Sequence, residues 1–235
     1  MLLLVGRTDR HHASRAPFAT FREATMSSVT RRRTHDHERR SAATEAKLLS
    51  SVERLLDAGE SFTEISVQRI IEEAGVSRAT FYAYFQGKPD ILKRLAQKVR
   101  DASLTLARQW DPGAGEDGAA RYTTFFEDVL ALHRAYHPVL SAVREVASYD
   151  PEVRDFYTAG LEGFDEAVLA TLVEQQQAGA TPSDLDAVAA SRVIVWGGAQ
   201  AIARHISVDD GSGDAALARE LGRIWWYGAY RRPAG

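Results

Sequence analysis

Residues 74–85 read AGVSRATFYAYF. Gly75 and Ser77 are helix punctuation: a glycine that can close one helix in the left-handed region, then a serine that can cap the next. Behind them come Arg78 and four rings, Phe81, Tyr82, Tyr84 and Phe85. A core helix would not carry two phenols and a guanidinium, and a solvated helix would not carry four rings. Upstream, Val67, Ile70, Ile71 and Ala74 form an apolar stripe that Ser66 is placed to cap. The order is therefore helix, tight turn, helix 78–85, the layout of a helix-turn-helix. Its second helix would span about 12 Å at a rise of about 1.5 Å per residue, about the width of the DNA major groove. Phe81 and Phe85, four apart, are expected to face inward. Arg78, Ala79, Thr80, Tyr82, Ala83 and Tyr84 are left for the outside, beside Ser77. Arginine pairs with guanine edges, Thr and Ala meet a thymine methyl, and tyrosine hydroxyls reach phosphates.

The pattern extends in both directions. Leu48, Leu49, Val52, Leu55 and Leu56 give a first helix ending before Gly59. Gln86-Gly87-Lys88-Pro89 breaks the third, and Pro89 suits the first turn of a fourth, 89–110, burying Ile91, Leu92, Leu95, Val99 and Leu106. DPGAGEDG at 111–118 is the clearest boundary. Longer helices are expected at 119–136, 138–147, 151–178, 184–206 and 214–231. No strand-like alternation or internal repeat is visible. Residues 1–43 lack an apolar period and read as a disordered basic arm. Met26, just before SSVTRRR, reads as an alternative start. The expected organisation is all-α: an arm at 1–43, a three-helix DNA-binding domain at 44–90, and a helical bundle at 91–235 joined through helix four.

Composition agrees with a DNA-reading front half. Of a net charge of −3, residues 1–110 carry +6 and residues 111–235 carry −9. Only the first half is suited to a polyanion; chance segregation of surface charge is the alternative. There is no cysteine, hence no disulfide framework, thiolate zinc site or thiol nucleophile. No apolar run approaches the ~18 residues of a membrane span, so a cytoplasmic protein with no membrane partner is expected.

AGVSRATFYAYFQGKPDIL, with the LL pairs of helix one and Ile65-Ser66-Val67, resembles the DNA-binding domain of the TetR/AcrR family of bacterial transcriptional regulators over about 44–95. The resemblance implies that Tyr82 and Lys88 touch phosphates and that Arg78, Thr80 and Tyr84 face the groove. Two positions depart from the family pattern: Ile71 where it commonly has Ala, and Pro89 where it often has Glu. Phe125-Phe126, PEVRDFY at 151–157 and RIWWYGAY at 223–230 are similar to the family branch that holds a mycobacterial regulator of ethionamide activation. The family resemblance implies a helical ligand-binding and dimerisation domain, and the branch likeness places Tyr157, Phe164 and Trp225 at aromatic lining positions. The expected protein is a homodimeric repressor on a pseudo-palindromic operator, released by a small hydrophobic effector, with no cofactor and no catalysis.

The bundle's rings carry the effector expectation. Tyr122, Phe125, Phe126, Tyr157, Phe164, Trp196 and Trp225, with Leu161, crowd one small bundle, and large flat side chains fill space less adaptably than Leu or Met. A mostly apolar pocket is expected, bounded by helix four near Leu106 and Trp110. A plain packed core is the alternative. Two other classes stay open: a metal-dependent helical-bundle enzyme built on His133 and His137 at i, i+4, and a ligand-independent chromosome-binding protein. No phosphate loop, nucleophile elbow or paired-carboxylate motif is present.

Arg31, Arg32 and Arg33 in the arm are expected to lie along phosphates or in a minor groove; a solubilising tail is the alternative. Replacing all three with alanine should weaken binding to every DNA sequence and flatten its salt dependence, by about 0.9 in log–log slope for each phosphate no longer neutralised. An unchanged slope in a salt titration would contradict the arm's role.

Overall fold

The computed structural model describes the backbone of residues 23–108 and 117–233, all helices and connecting turns, with no strand among them. The chain divides into two compact units, residues 1–45 and 46–235.

Helix α1 (Glu23–Asp57) starts 25 residues before the apolar stripe that begins at Leu48. Residues 23–43, expected to be disordered, are helical. They contain no Gly or Pro and carry five Arg and three Ala, so nothing in them breaks a helix nucleated by the buried stripe. Within the first unit, Thr44 Oγ1 donates to the Arg40 carbonyl at 2.9 Å.

In the second unit, α2 (Val67–Ala74) and α3 (Arg78–Tyr84) form the helix-turn-helix. Ser66 Oγ accepts from Arg69 N at 3.0 Å, and Ser77 Oγ from Thr80 N at 3.0 Å. Gly75 closes α2 at φ 59°, a conformation that strains residues bearing a Cβ. α3 ends one residue early, because Phe85 turns to extended backbone and drops into the core.

Helix α4 (Lys88–Arg108) is followed by α5 (Gly118–Ala135), α6 (His137–Ala147) and α7 (Pro151–Gln177). The single helix expected at 184–206 is α8 (Ala187–Arg192), a π-helical turn (Val193–Gly197) and α9 (Gly198–Val208). The last, α10 (Asp214–Trp225), also runs into a π-helical turn, Trp226–Tyr230.

Two buried apolar clusters organise the second unit. The first gathers Leu48, Val52, Ile70, Phe81, Phe85, Ile91 and Leu92 together with Val139, Val143, Val146 and Val153 from α6 and α7. The boundary expected at 90–91 thus falls within α4, and the cluster crosses it. The second gathers Tyr122, Phe126, Leu130, Leu172, Ile202, Leu221, Trp226 and Tyr230. In this bundle α10 lies close against α5: a Cβ on Gly222 would stand 2.8 Å from Thr123 N and 2.9 Å from its Oγ1.

Backbone cannot yield as a flexible side chain does. Gly222→Ala gains up to about 1 kcal/mol of helix propensity, but overpacking costs typically about 1–3 kcal/mol. The variant should melt at a lower temperature than the parent. A higher melting temperature would show that α5 and α10 can separate freely.

Candidate DNA-reading helix and bundle cavity

Phe81 and Phe85 are buried, at 0% and 2% exposure, and their rings pack 5.8 Å apart. Anchoring these two fixes which side of α3 faces out. Ser77, Arg78, Ala79, Tyr82 and Ala83 are exposed, while Thr80 and Tyr84 are half-buried. The Arg78 guanidinium lies 5.3 Å from the centre of the Tyr82 ring, with Nη2 3.4 Å from the hydroxyl. Thr80 Oγ1 is 2.8 Å from Ser77 Oγ. Lys88 sits at the start of α4, where Nζ donates to the Thr63 carbonyl at 3.0 Å and lies 5.0 Å from the Phe62 ring centre. Burial lowers its pKa, partly offset by Glu145. An ammonium has three donors, so this bond holds the head at the domain edge with donors to spare. The side chains of Arg31, Arg32 and Arg33 lie outside the described residues.

The bundle contains a cavity of about 220 Å³. Tyr122, Phe125 and Phe126 reach it from α5, Leu161 and Phe164 from α7, and Trp225 from α10. The rings interlock around Tyr122, whose centroid lies 5.7 Å from Trp225 and 5.5 Å from Tyr230. The hydroxyls of Tyr122 and Tyr230 are hydrogen-bonded to each other; burial pushes Tyr230 up to about 12 and Tyr122 well above its ordinary value. Both phenols therefore stay neutral. A second cavity, of about 110 Å³, has Tyr157 in its wall and shares Ser103, His133, Leu161 and Phe164 with the first. Leu106 and Trp196 pack against the bundle's apolar cluster rather than lining either space. Trp110 lies outside the described residues.

Small and polar wall residues are absent from the sequence-based expectation: Ser103, Ala107, Ala167, Thr171, Gly198 and Ala199. Leu161, Phe164, Val168 and Thr171 repeat at helical spacing on α7, so a signal was present there. Rings mark a crowded region; the residues whose smallness leaves the space open carry no such mark.

His133 and His137 do not form a ligand pair. Tyr136, at φ −110°, separates the two helices, so His133 ends α5 and His137 begins α6. His133 lines both cavities; burial, reinforced by Arg144, lowers its pKa to about 4. Among the described residues, the His and acidic side chains close enough to share an ion are His205, Asp209 and Asp214. A guanidinium takes the cation's place there: Arg134 donates to Asp214 at 2.6 and 2.9 Å and to the Asp209 carbonyl at 2.9 Å. Those Arg134 bonds hold the Asp214 carboxyl below its ordinary range.

A helix-turn-helix whose second helix has an exposed face is thus joined through α4 to a helical bundle that holds a mostly apolar cavity. Residues 58–95 match the model of bacterial regulatory proteins of the tetR family. It is 29% identical over 147 residues to the HTH-type transcriptional regulator EthR of Mycolicibacterium smegmatis, across 61% of this chain and 66% of that protein. The match thus spans just under two thirds of that relative's length. Among solved structures, the fatty acid degradation regulator FadR of Bacillus halodurans superposes with a TM-score of 0.63 at 20% identity, covering 80% of this chain and 97% of that one. FadR of Bacillus subtilis in complex with stearoyl-CoA gives 0.62 at 18% identity, covering 76% and 96%. These two likenesses are of fold.

His133 is a base whose folded pKa lies below its unfolded value, 6.5 falling to about 4. The unfolded chain therefore takes up the proton first. The stability due to neutral His133 is complete above about pH 6.5 and is lost as pH falls towards 4, at up to about 1.4 kcal/mol per pH unit. His133→Leu should flatten the pH dependence of the unfolding free energy between pH 6.5 and 4 relative to the parent. Parallel profiles would contradict a buried neutral imidazole.

Proposed function

We propose that the protein is a homodimeric transcriptional repressor that binds a pseudo-palindromic operator and leaves it when a small apolar molecule enters the bundle. The observation that carries this reading is one helix network holding both an exposed α3 and a mostly apolar cavity. Arg78, Ala79, Thr80, Tyr82 and Tyr84 would read the groove. Lys88 and the arginines of the arm would hold the phosphate backbone. Tyr122, Phe125, Phe126, Leu161, Phe164 and Trp225 would wrap the effector, with Tyr157 at the smaller cavity. Leu106, Trp110 and Trp196 would form an outer layer.

Two copies are supported by a face left without cover. Val193 and Ile224 are 74% and 62% exposed, Tyr227 is also exposed, and Gly197 and Ala201 continue the Val193 side at four-residue spacing. Exposed apolar surface of this kind, spread over adjacent helices, marks an interface. Dimerisation would place two α3 helices about one DNA turn, ~34 Å, apart. No described helix is long and apolar enough to cross a membrane, which accords with work on DNA in the cytoplasm. The relatives are regulators, and neither the histidine-pair enzyme nor the ligand-free chromosome protein has an observation in its favour.

The test is a footprint on the DNA upstream of the protein's own gene, repeated with a panel of apolar ligands. Arg78→Ala should lose about tenfold to a hundredfold in operator affinity, equivalent to about 1–3 kcal/mol, while melting like the parent because Arg78 is exposed. An effector should raise the melting temperature and weaken the footprint. Phe164→Ala and Trp225→Ala should blunt both effects. If no protected site exists the regulator reading fails; if none of the ligands does either, the effector falls and DNA binding alone stands.

A further inference from the structure

The cavity system is not uniform along its length. The larger space is bounded chiefly by rings and aliphatic side chains. The smaller one, between α4, α6 and α7, has a cation in its wall. Arg100 projects there from α4, with its guanidinium carbon 5.7 Å from the centre of the Phe156 ring. Its Nε is buried without a hydrogen-bond partner. Arg144 on α6 stands close by, since its charge acts on His133 and Tyr157, both wall residues. Among the described residues its hydrogen bond is to Ser141 Oγ at 3.2 Å, and no carboxylate lies within ion-pair distance of either arginine.

A desolvated donor on a cation without a partner is costly, and a matching anion relieves that cost. Among the described residues no carboxylate supplies one at this wall. His133 is held neutral by burial and can only exchange a hydrogen bond. We propose that the smaller cavity is a carboxylate subsite: the effector is an elongated apolar acid whose carboxylate meets Arg100, in the field of Arg144, and whose chain runs past Phe164 into the larger cavity. This rests on the reading of the bundle as an effector site and adds the chemistry of the effector's end. One lining arginine suits a monoanion. The same field disfavours a quaternary ammonium end, and a neutral ester can accept from Nε but leaves the guanidinium charge uncompensated.

Calorimetry on the full-length protein without DNA tests the subsite separately from operator release. Dodecanoate, methyl dodecanoate and dodecyltrimethylammonium share a chain and differ at the end. The parent should bind the acid at least tenfold more tightly than the ester and bind the ammonium least. Arg100→Met keeps a stem over Phe156 and removes the charge; it should bind acid and ester equally, with ester affinity retained. Arg100→Lys keeps the charge and should keep the preference for the acid. Equal binding of acid and ester by the parent, a preference that survives in Arg100→Met, or no binding of any of the three overturns the proposal. Should Arg100→Met not fold, the parent's ranking and Arg100→Lys still decide. An ester that releases operator DNA as well as the acid does would remove the carboxylate subsite while leaving the effector reading intact.

Discussion

The outward face of α3 is set by where Phe81 and Phe85 are buried. α3 has seven residues, too few to be stable alone. Its orientation comes from two rings sunk in an apolar cluster that also takes in Ile70, Leu92, Val143 and Val146. Because α6 contributes to the same cluster, α3 packs against more than the three-helix unit alone. Its seat is built partly by the bundle. Polar contacts repeat the join at the rim: Thr63 donates to Glu145 at 2.5 Å and lies 3.1 Å from the Tyr149 hydroxyl, while its carbonyl accepts from Lys88.

That shared seat gives cavity occupancy a physical route to α3. Leu140 and Val143 of α6 line the smaller cavity, and Val143 also belongs to the cluster that holds Phe81. Close-packed interiors shift between discrete arrangements rather than deforming smoothly. A guest that moved α6 would have to move Val143 against that cluster. A hundredfold change in DNA affinity needs only about 2.7 kcal/mol of coupling, the scale of repacking one or two buried side chains.

How much of this was legible in the sequence varied with the signal. The helix-turn-helix was, because Ser66, Gly75 and Ser77 each have a local job that only a few residue types perform. The inward face of α3 followed from a four-residue spacing. The start of α1 was not legible, because a polar helix without an apolar face looks like a polar tail. The π-helical turns after α8 and α10 were also hidden, since one extra residue in a turn leaves the composition unchanged. In the bundle, rings marked the region of the cavity, yet Leu106 and Trp196 fell outside its wall. Which large residues border a gap depends on where Gly198 and Ala199 sit on the facing helix, and no spacing within one helix encodes that.

The histidines show the same limit more sharply. An i, i+4 pair suggests two ligands on one face, but a helix break at Tyr136 sends the two rings to different surroundings. His133 became a neutral wall residue because burial and the Arg144 charge both oppose its protonation. His205, whose i, i+4 neighbour is an aspartate rather than a second histidine, joined Asp209 and Asp214 around Arg134 instead. Charge is thus sorted by burial. The Arg134 guanidinium, with carboxylates at hand, ties α5 to the start of α10. The Arg100 guanidinium, with none among the described residues, is left facing a cavity. Two arginines of the same chemistry take on a structural task and a binding task, and what separates them is whether the fold placed an anion within reach.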